Sequence, residues 1–178
     1  MWEKIILNQF NTFLLDNKRL TSHQGGNRKA HYTETISIQL TDSVLEAMDK
    51  KQITAVILQD LSKAFDSIDH ARLLHKLSNV GSSPSTVNWF KSYLSSRYQY
   101  VRIWSTHSDA LPITHGVPQG AILSTLLFCI YLNDLPLAPS SCNLKSYVDD
   151  SKLFLSIPLI ELDAAIEKLE QDLVRVAQ

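Results

Sequence analysis

The run Ile53-Thr54-Ala55-Val56-Ile57-Leu58 does most to limit what this chain can fold into, because it is short, β-branched and almost continuously apolar, and it closes on Gln59-Asp60. A segment this short is read as a strand rather than a buried helix, and its composition predicts a strand covered on both faces. Far downstream, Leu144 to Val148 and Lys152 to Ile157 are two further extended runs flanking Asp149-Asp150-Ser151. That layout predicts a tight hairpin with acid at its tip. If both elements share one sheet, Asp60, Asp149 and Asp150 can converge.

Helical periodicity supplies the rest. Ile6, Phe10, Phe13 and Leu14 predict a helix over about 5–20, and Ile36, Leu40, Val44 and Met48 another to about Asp49. Asp69 is a candidate cap for a helix that stops at Gly81, and Ser83-Pro84 starts the next, to about Ser96. Tyr98 to Trp104 alternates as a strand, Ala110 to Thr114 is a second extended piece, and an apolar helix is predicted from Ala121 to about Leu135. In the tail, Leu162, Ile166, Leu169, Leu173 and Val176 mark a docking face, with the intervening Glu and Asp read as solvated.

Composition narrows the class. The chain has 178 residues, 44% of them hydrophobic, with 5 Gly and 6 Pro, which suits one globular domain and excludes disordered, collagenous and low-complexity readings. Its formal net charge of −1 announces neither a nucleic-acid nor a membrane partner. Cys129 and Cys142 suggest neither a disulfide scaffold nor a zinc site, and the longest apolar run, Ala121 to Leu132, is too short to span a bilayer. The expected setting is intracellular, in the nucleus or cytoplasm, without a membrane partner.

Grouped carboxylates repel one another unless a divalent cation neutralises them. Mg²⁺ suits such a set, because it accepts one or two carboxylates together with waters and substrate phosphates, and paired ions support phosphoryl transfer. Each Asp alone is commonplace at strand ends and in turns. Their surroundings are more specific. Asp60-Leu61-Ser62-Lys63-Ala64-Phe65-Asp66, then Gly116-Val117-Pro118-Gln119-Gly120, then Tyr147-Val148-Asp149-Asp150 resembles, in that order, the reverse transcriptase palm of non-LTR retrotransposons. Gln24-Gly25-Gly26-Asn27-Arg28-Lys29, Trp89 to Leu94 and Leu127 to Leu135 extend the similarity over roughly residues 20 to 155.

The resemblance implies an RNA-directed DNA polymerase core that uses two Mg²⁺ ions, with Mn²⁺ as a substitute, and whose partners are an RNA template, a DNA primer and deoxynucleoside triphosphates. It assigns Asp60, Asp149 and Asp150 as catalytic metal ligands, with the Leu61 carbonyl beside the first. Arg28, Ala64, Phe65, Gln119 and Gly120 would contact the nucleotide, with Phe65 as a steric gate against ribose. By pattern alone, Phe65 reads as core and Pro118-Gln119-Gly120 as simply a turn.

Charge distribution adds to this. From His70 to Ser108 there is no Asp or Glu, while Lys91, Arg97 and Arg102 interleave with Trp89, Tyr93, Tyr98, Tyr100 and Trp104. Basic and aromatic residues together suggest a nucleic-acid track. The chain departs from the family pattern at Ala121, Ser124-Thr125 and Asn27. The expectation is an α+β, palm-like fold: a small antiparallel sheet with helices on one face, partial fingers over about 1–52, palm core over 53–158, a C-terminal helix over 159–178, and no thumb. The rest of a retrotransposon polyprotein is expected to be missing. The alternatives are an inactive truncated remnant acting as a nucleic-acid-binding module, or another two-metal enzyme such as a nucleotide cyclase.

Overall fold

The computed structural model describes residues 2–25 and 33–177. In chain order its main elements are α1 (Trp2–Asp16), α2 (Thr33–Asp49), β1 (Gln52–Asp60), α3 (His70–Asn79), α4 (Pro84–Leu94), β2 (Tyr98–Gln99), β3 (Arg102–Ile103), β4 (Thr106–His107), β5 (Leu111–Pro112), α5 (Ser124–Tyr131), β6 (Asn143–Tyr147), β7 (Asp150–Pro158) and α6 (Leu162–Val176). Helices and small antiparallel sheets together make an α+β fold. They fall into two compact units of two segments each, one comprising Met1–Arg19 with Lys63–Tyr131 and the other Leu20–Ser62 with Leu132–Gln178. No helix among the described residues is long and apolar enough to cross a membrane.

The first unit is helical around α5, whose Leu126, Leu127, Phe128, Cys129 and Ile130 are all buried. Asp69 caps α3 by accepting from the Arg72 amide at 2.7 Å, an interaction of about 1 kcal/mol. Ser83 caps α4 in the same way, accepting from the Thr86 amide at 3.2 Å, and Pro84 occupies the first turn, where no amide is needed. Glu3 ties α1 to this frame: its Oε1 accepts from the Tyr93 hydroxyl at 2.9 Å and its Oε2 from the Ile122 amide at 3.0 Å. Burial first, and then this carboxylate, pushes the Tyr93 hydroxyl pKa up to about 12.

Two expectations change in this unit. The apolar helix is shorter than its hydrophobic run, because residues before Ser124 form tight turns, with the Ala121 amide on the Pro118 carbonyl and the Ser124 hydroxyl on the same oxygen at 2.5 Å. The predicted strand over Tyr98 to Trp104 is broken into two-residue strands, β2 pairing with β5 and β3 with β4. Alternation there does not reflect a buried face, since all four strands are exposed.

The second unit is built on a three-stranded antiparallel sheet in the order β1-β7-β6. Pairing of β1 with β7 runs from Gln52 opposite Pro158 to Asp60 opposite Asp150. Because opposed residues share a face, Ala55 and Ile57 lie on the same side as Leu153 and Leu155, where they meet Leu144, Leu169, Leu173 and Val176. Burying one such Leu contributes roughly 1.5–3 kcal/mol. The other face carries Lys145 and Lys152, whose ammonium groups reach Gln39 and Ser37 of α2 at 2.6 and 3.2 Å. Helices therefore cover both faces of this sheet, α6 on one and α2 on the other, not one face as expected. Nor is β1 covered on both sides: as an outer strand, it leaves Val56 and Leu58 40% and 73% exposed.

The tail helix also departs from its pattern. Leu162 and Ile166 are exposed at 40% and 46%, while Ala165, Leu169 and Asp172 are buried. Asp172, which the pattern assigned to the solvated face, accepts from the amides of Ser140, Ser141 and Cys142 at 2.9, 2.7 and 2.8 Å and from Arg175 at 2.6 Å. Burial alone pushes the Asp172 carboxyl up, but these donors outweigh it and hold the group well below the usual carboxylate range. A depressed folded-state pKa contributes stability above the unfolded value near 4, and that stability is lost as pH falls. Asp172→Asn is expected to cost roughly 3 kcal/mol at neutral pH, with the gap in melting temperature from the parent shrinking once pH drops below about 4. A gap that stays constant between pH 7 and 3 in thermal melts would rule out this linkage.

Candidate active site

In the second unit, the antiparallel register sets Asp60 directly opposite Asp150, and Tyr147 of β6 opposes Asp150 from the other side. Side chains so opposed have Cβ atoms about 4.5–5.5 Å apart. Two like charges directly opposed in a sheet are destabilising on their own, and both carboxylates are exposed at the strand ends. Leu58, Lys152, Tyr147 and Ile36 join them around a cavity of about 280 Å³. Tyr147 and Gly25 approach closely: a Cβ at Gly25 would lie 3.0 Å from the Tyr147 ring and 3.4 Å from Ile36, so the glycine keeps this floor tight.

Asp149 sits differently from its two companions. The hairpin loop is Val148-Asp149, because Tyr147 and Asp150 are already paired, so Asp150 belongs to the strand and not to the turn as the sequence suggested. Val148 has φ +53. This left-handed conformation costs a β-branched residue on the order of 1–3 kcal/mol, and such strain persists only where the surroundings enforce it. Asp149 itself is half-buried. Among the described residues, no group of three His, Cys, Asp or Glu side chains is gathered tightly enough to hold an ion. The expected convergence is thus a carboxylate pair with a third carboxylate next to it in the turn. The donor set nevertheless fits a hard divalent cation: Mg²⁺ needs one or two carboxylates and takes its other ligands from water and phosphate.

The first unit gathers other predicted residues. Phe65 and Asp66 are zipped to the loop before α5, with the Val117 amide donating to the Phe65 carbonyl at 2.9 Å and the Gln119 side-chain amide to Asp66 Oδ1 at 2.9 Å. Gly116 makes this possible, since it has φ +83 and an added Cβ would lie 2.9 Å from the Asp66 backbone. The His70 ring bonds the Gly116 carbonyl at 2.7 Å and fixes the loop from α3. Ala64 is buried, and Phe65 is half-buried with its ring stacked on Phe128 at 4.7 Å. Gly120 has φ +81 and open space around its α-carbon. Lys63, Asp66, Arg97, His115 and Gln119 all line one cavity of about 640 Å³.

The basic residues are spread along the same unit. Arg97 lies over the Tyr93 ring at 4.8 Å and donates to the Tyr93 carbonyl at 2.8 Å, while the Trp89 ring stacks with that of Tyr93 at 5.5 Å. Lys91 is exposed, and Arg102 donates to the carbonyl of Trp104, which is itself 91% exposed. Arg28 and Asn27 lie outside the described residues. Sequence reasoning missed Lys152, which only the cross-strand register brings to the carboxylate face, and Lys63, an ordinary residue of its motif until the fold lines a cavity with it.

Residues 1–176 match the family described as reverse transcriptase (RNA-dependent DNA polymerase). The chain is 32% identical over 163 residues, 88% of its length, to the probable RNA-directed DNA polymerase from transposon BS of Drosophila melanogaster, of which it covers 18%. It is 29% identical over 176 residues, 94% of its length, to the RNA-directed DNA polymerase from mobile element jockey of Drosophila funebris, covering 19% of that protein. A third relative, the retrovirus-related Pol polyprotein from type-1 retrotransposable element R2 of Popillia japonica, is 27% identical over 113 residues and is covered to 16%. The chain thus spans less than a fifth of the length of these relatives. On the strength of the family match over nearly its whole length, the chain belongs to the reverse transcriptase (RNA-dependent DNA polymerase) family.

Proposed function

We propose that this chain is the palm core of an RNA-directed DNA polymerase of a retrotransposon, which adds deoxynucleotides to a primer 3′-hydroxyl on an RNA template, with residues 53–158 as the palm. The observation that carries the reading is the direct opposition of Asp60 and Asp150 at one end of a paired sheet, in a chain of this family. Asp60, Asp149, Asp150 and the Leu61 carbonyl would hold two divalent cations, Mg²⁺ or Mn²⁺. When bound, such cations neutralise phosphate charge and lower the pKa of the attacking hydroxyl. The chain's own residues do the positioning: the β1–β7 register fixes the carboxylates, and the Val148-Asp149 turn presents Asp149 beside them. Such rigid placement matters because phosphoryl transfer depends mainly on alignment and charge.

On the nucleotide side, the reading assigns Ala64, Phe65, Gln119, Gly120 and Arg28. Stacking on Phe128 makes Phe65 stiff, and stiffness is what a steric gate needs to exclude a 2′-hydroxyl. Lys91, Arg97 and Arg102 form the nucleic-acid track, with Arg97 oriented by Tyr93. The same reading expects a reducing setting in the nucleus or cytoplasm.

Primer extension on an RNA template with Mg²⁺ and deoxynucleotides tests the core reading: the parent should incorporate, and Asp60→Ala should lose at least 10³-fold in rate while its melting temperature is kept. Incorporation by neither chain, with nucleic-acid binding retained, would instead leave a binding module. Phe65→Ala should raise the relative use of ribonucleotides by tenfold or more in competition assays, and unchanged selectivity would remove the gate assignment. Changing Lys91, Arg97 and Arg102 together to Ala should weaken RNA binding and reduce the slope of log K against log salt by about 2. An unaltered slope in titrations from low to moderate salt would sink the basic-track reading.

A further inference from the structure

Asp172 is the only charged side chain found fully buried among the described residues, at 0% exposure. It does not face the carboxylate pair. Its Oδ1 takes the amide and hydroxyl of Ser140 at 2.9 and 3.2 Å, and its Oδ2 takes the amides of Ser141 and Cys142 at 2.7 and 2.8 Å. Arg175 closes the set by donating to Oδ1 at 2.6 Å and to the Ser140 hydroxyl. Three consecutive peptide groups are thereby locked to one carboxylate on α6, and they are the three that lead into β6. Leu169 and Leu173, on the same helix, pack against Leu144 and Leu153 of the sheet.

At its other end, β6 runs into the strained turn. Val148 at φ +53 is a conformation that a β-branched residue leaves unless it is held. The simplest release is a slip of β6 along β7 by one residue, which would turn every β6 side chain to the opposite face and undo the pairing of Tyr147 with Asp150. Two features oppose that slip. One is local: Ser146 is gripped near the tip, its amide donating to the His23 carbonyl at 3.0 Å and its carbonyl accepting from the Gly25 amide at 2.9 Å. The other is the Asp172 clamp at the start of the strand.

We propose that Asp172 is a positioning residue for the acidic tip: by locking residues 140–142 it holds the β6 register that keeps Val148 left-handed and Asp149 and Asp150 in place beside Asp60. Asp172 touches none of the reacting groups and acts through the strand. Its importance for catalysis rests on the polymerase reading, whereas its effect on the tip does not.

The test is a double-mutant cycle of Asp172→Asn and Val148→Gly, read by amide hydrogen exchange at Tyr147 to Ser151 and, for comparison, at Ala55 and Leu153. Asp172→Asn should speed exchange at the tip at least tenfold more than at the comparison positions. With Gly in place of Val148 there is little strain to release, so the same substitution should lose at least two-thirds of its effect on the tip. The clamp and the turn lie about 20 Å apart along the strand, a distance at which independent sites contribute additively. Additive effects, or uniform acceleration across β1, β6 and β7, would overturn the proposal. If Asp172→Asn does not fold, Arg175→Ala keeps the carboxylate and its three amides and should show the same pattern at about threefold, and a flat response would overturn the proposal equally. In primer extension, Asp172→Asn or Arg175→Ala should lower kcat more than it raises KM for the nucleotide. A parent that incorporates nothing would remove the polymerase reading and leave the exchange result to decide this one.

Discussion

The antiparallel pairing of β1 with β7 is the constraint on which the carboxylate site depends. It starts at Gln52 opposite Pro158 and ends at Asp60 opposite Asp150, so the same ladder that buries Ala55, Ile57, Leu153 and Leu155 against α6 also sets two acids face to face at its end. Register cannot change without cost. A shift of one residue would carry the apolar set to the α2 side and separate the acids, so the hydrophobic energy of the core and the geometry of the site are secured by one set of hydrogen bonds.

A second requirement is that unfavourable features be held in place. Opposed like charges and a valine at positive φ each cost free energy, and both sit at the tip of the β6–β7 hairpin. Local strain of this kind marks functional sites because nothing in stability alone favours it. Around the tip, the structure supplies the opposing terms: the bridge from His23 and Gly25 to Ser146, the close packing of Gly25 on Tyr147, and the buried Asp172 that fixes the approach to β6. In the other unit, a comparable role falls to Gly116, whose missing side chain lets the Gln119 loop lie on Phe65 and Asp66.

Much of this was legible in advance, and the misses share a cause. The helices over 33–49 and 84–94, the strand closing on Asp60 and the hairpin around Asp149 follow from periodicity and capping, which are local properties. The strand predicted over 98–104 failed because alternation signals a buried face only where something covers it, and here both hairpins are exposed. The hairpin turn is shorter and earlier than the 149–151 that the pattern predicts, because Val148-Asp149 carries none of the Gly or Asn that mark tight turns. Asp172 was assigned to solvent because its polar partners are peptide groups some thirty residues away, which no pattern around the helix can reveal. The single-sided sheet failed for a related reason, since lysines at 145 and 152 look solvated until α2 offers Gln39 and Ser37.

Periods, caps and motif residues are written in neighbouring positions, so the sequence carries α2, α3, α4, the strand closing on Asp60 and the family, but not which residues of α6 or of 98–104 are covered. It also carries Asp60 at the end of a strand and Asp149 and Asp150 at the tip of a hairpin. Tertiary structure alone decided which of them meet, because pairing across about ninety residues depends on register and not on spacing. It likewise decided that Val148 bears the strain of the turn and that the charge of Asp172 belongs inside, where backbone donors replace the water it gives up.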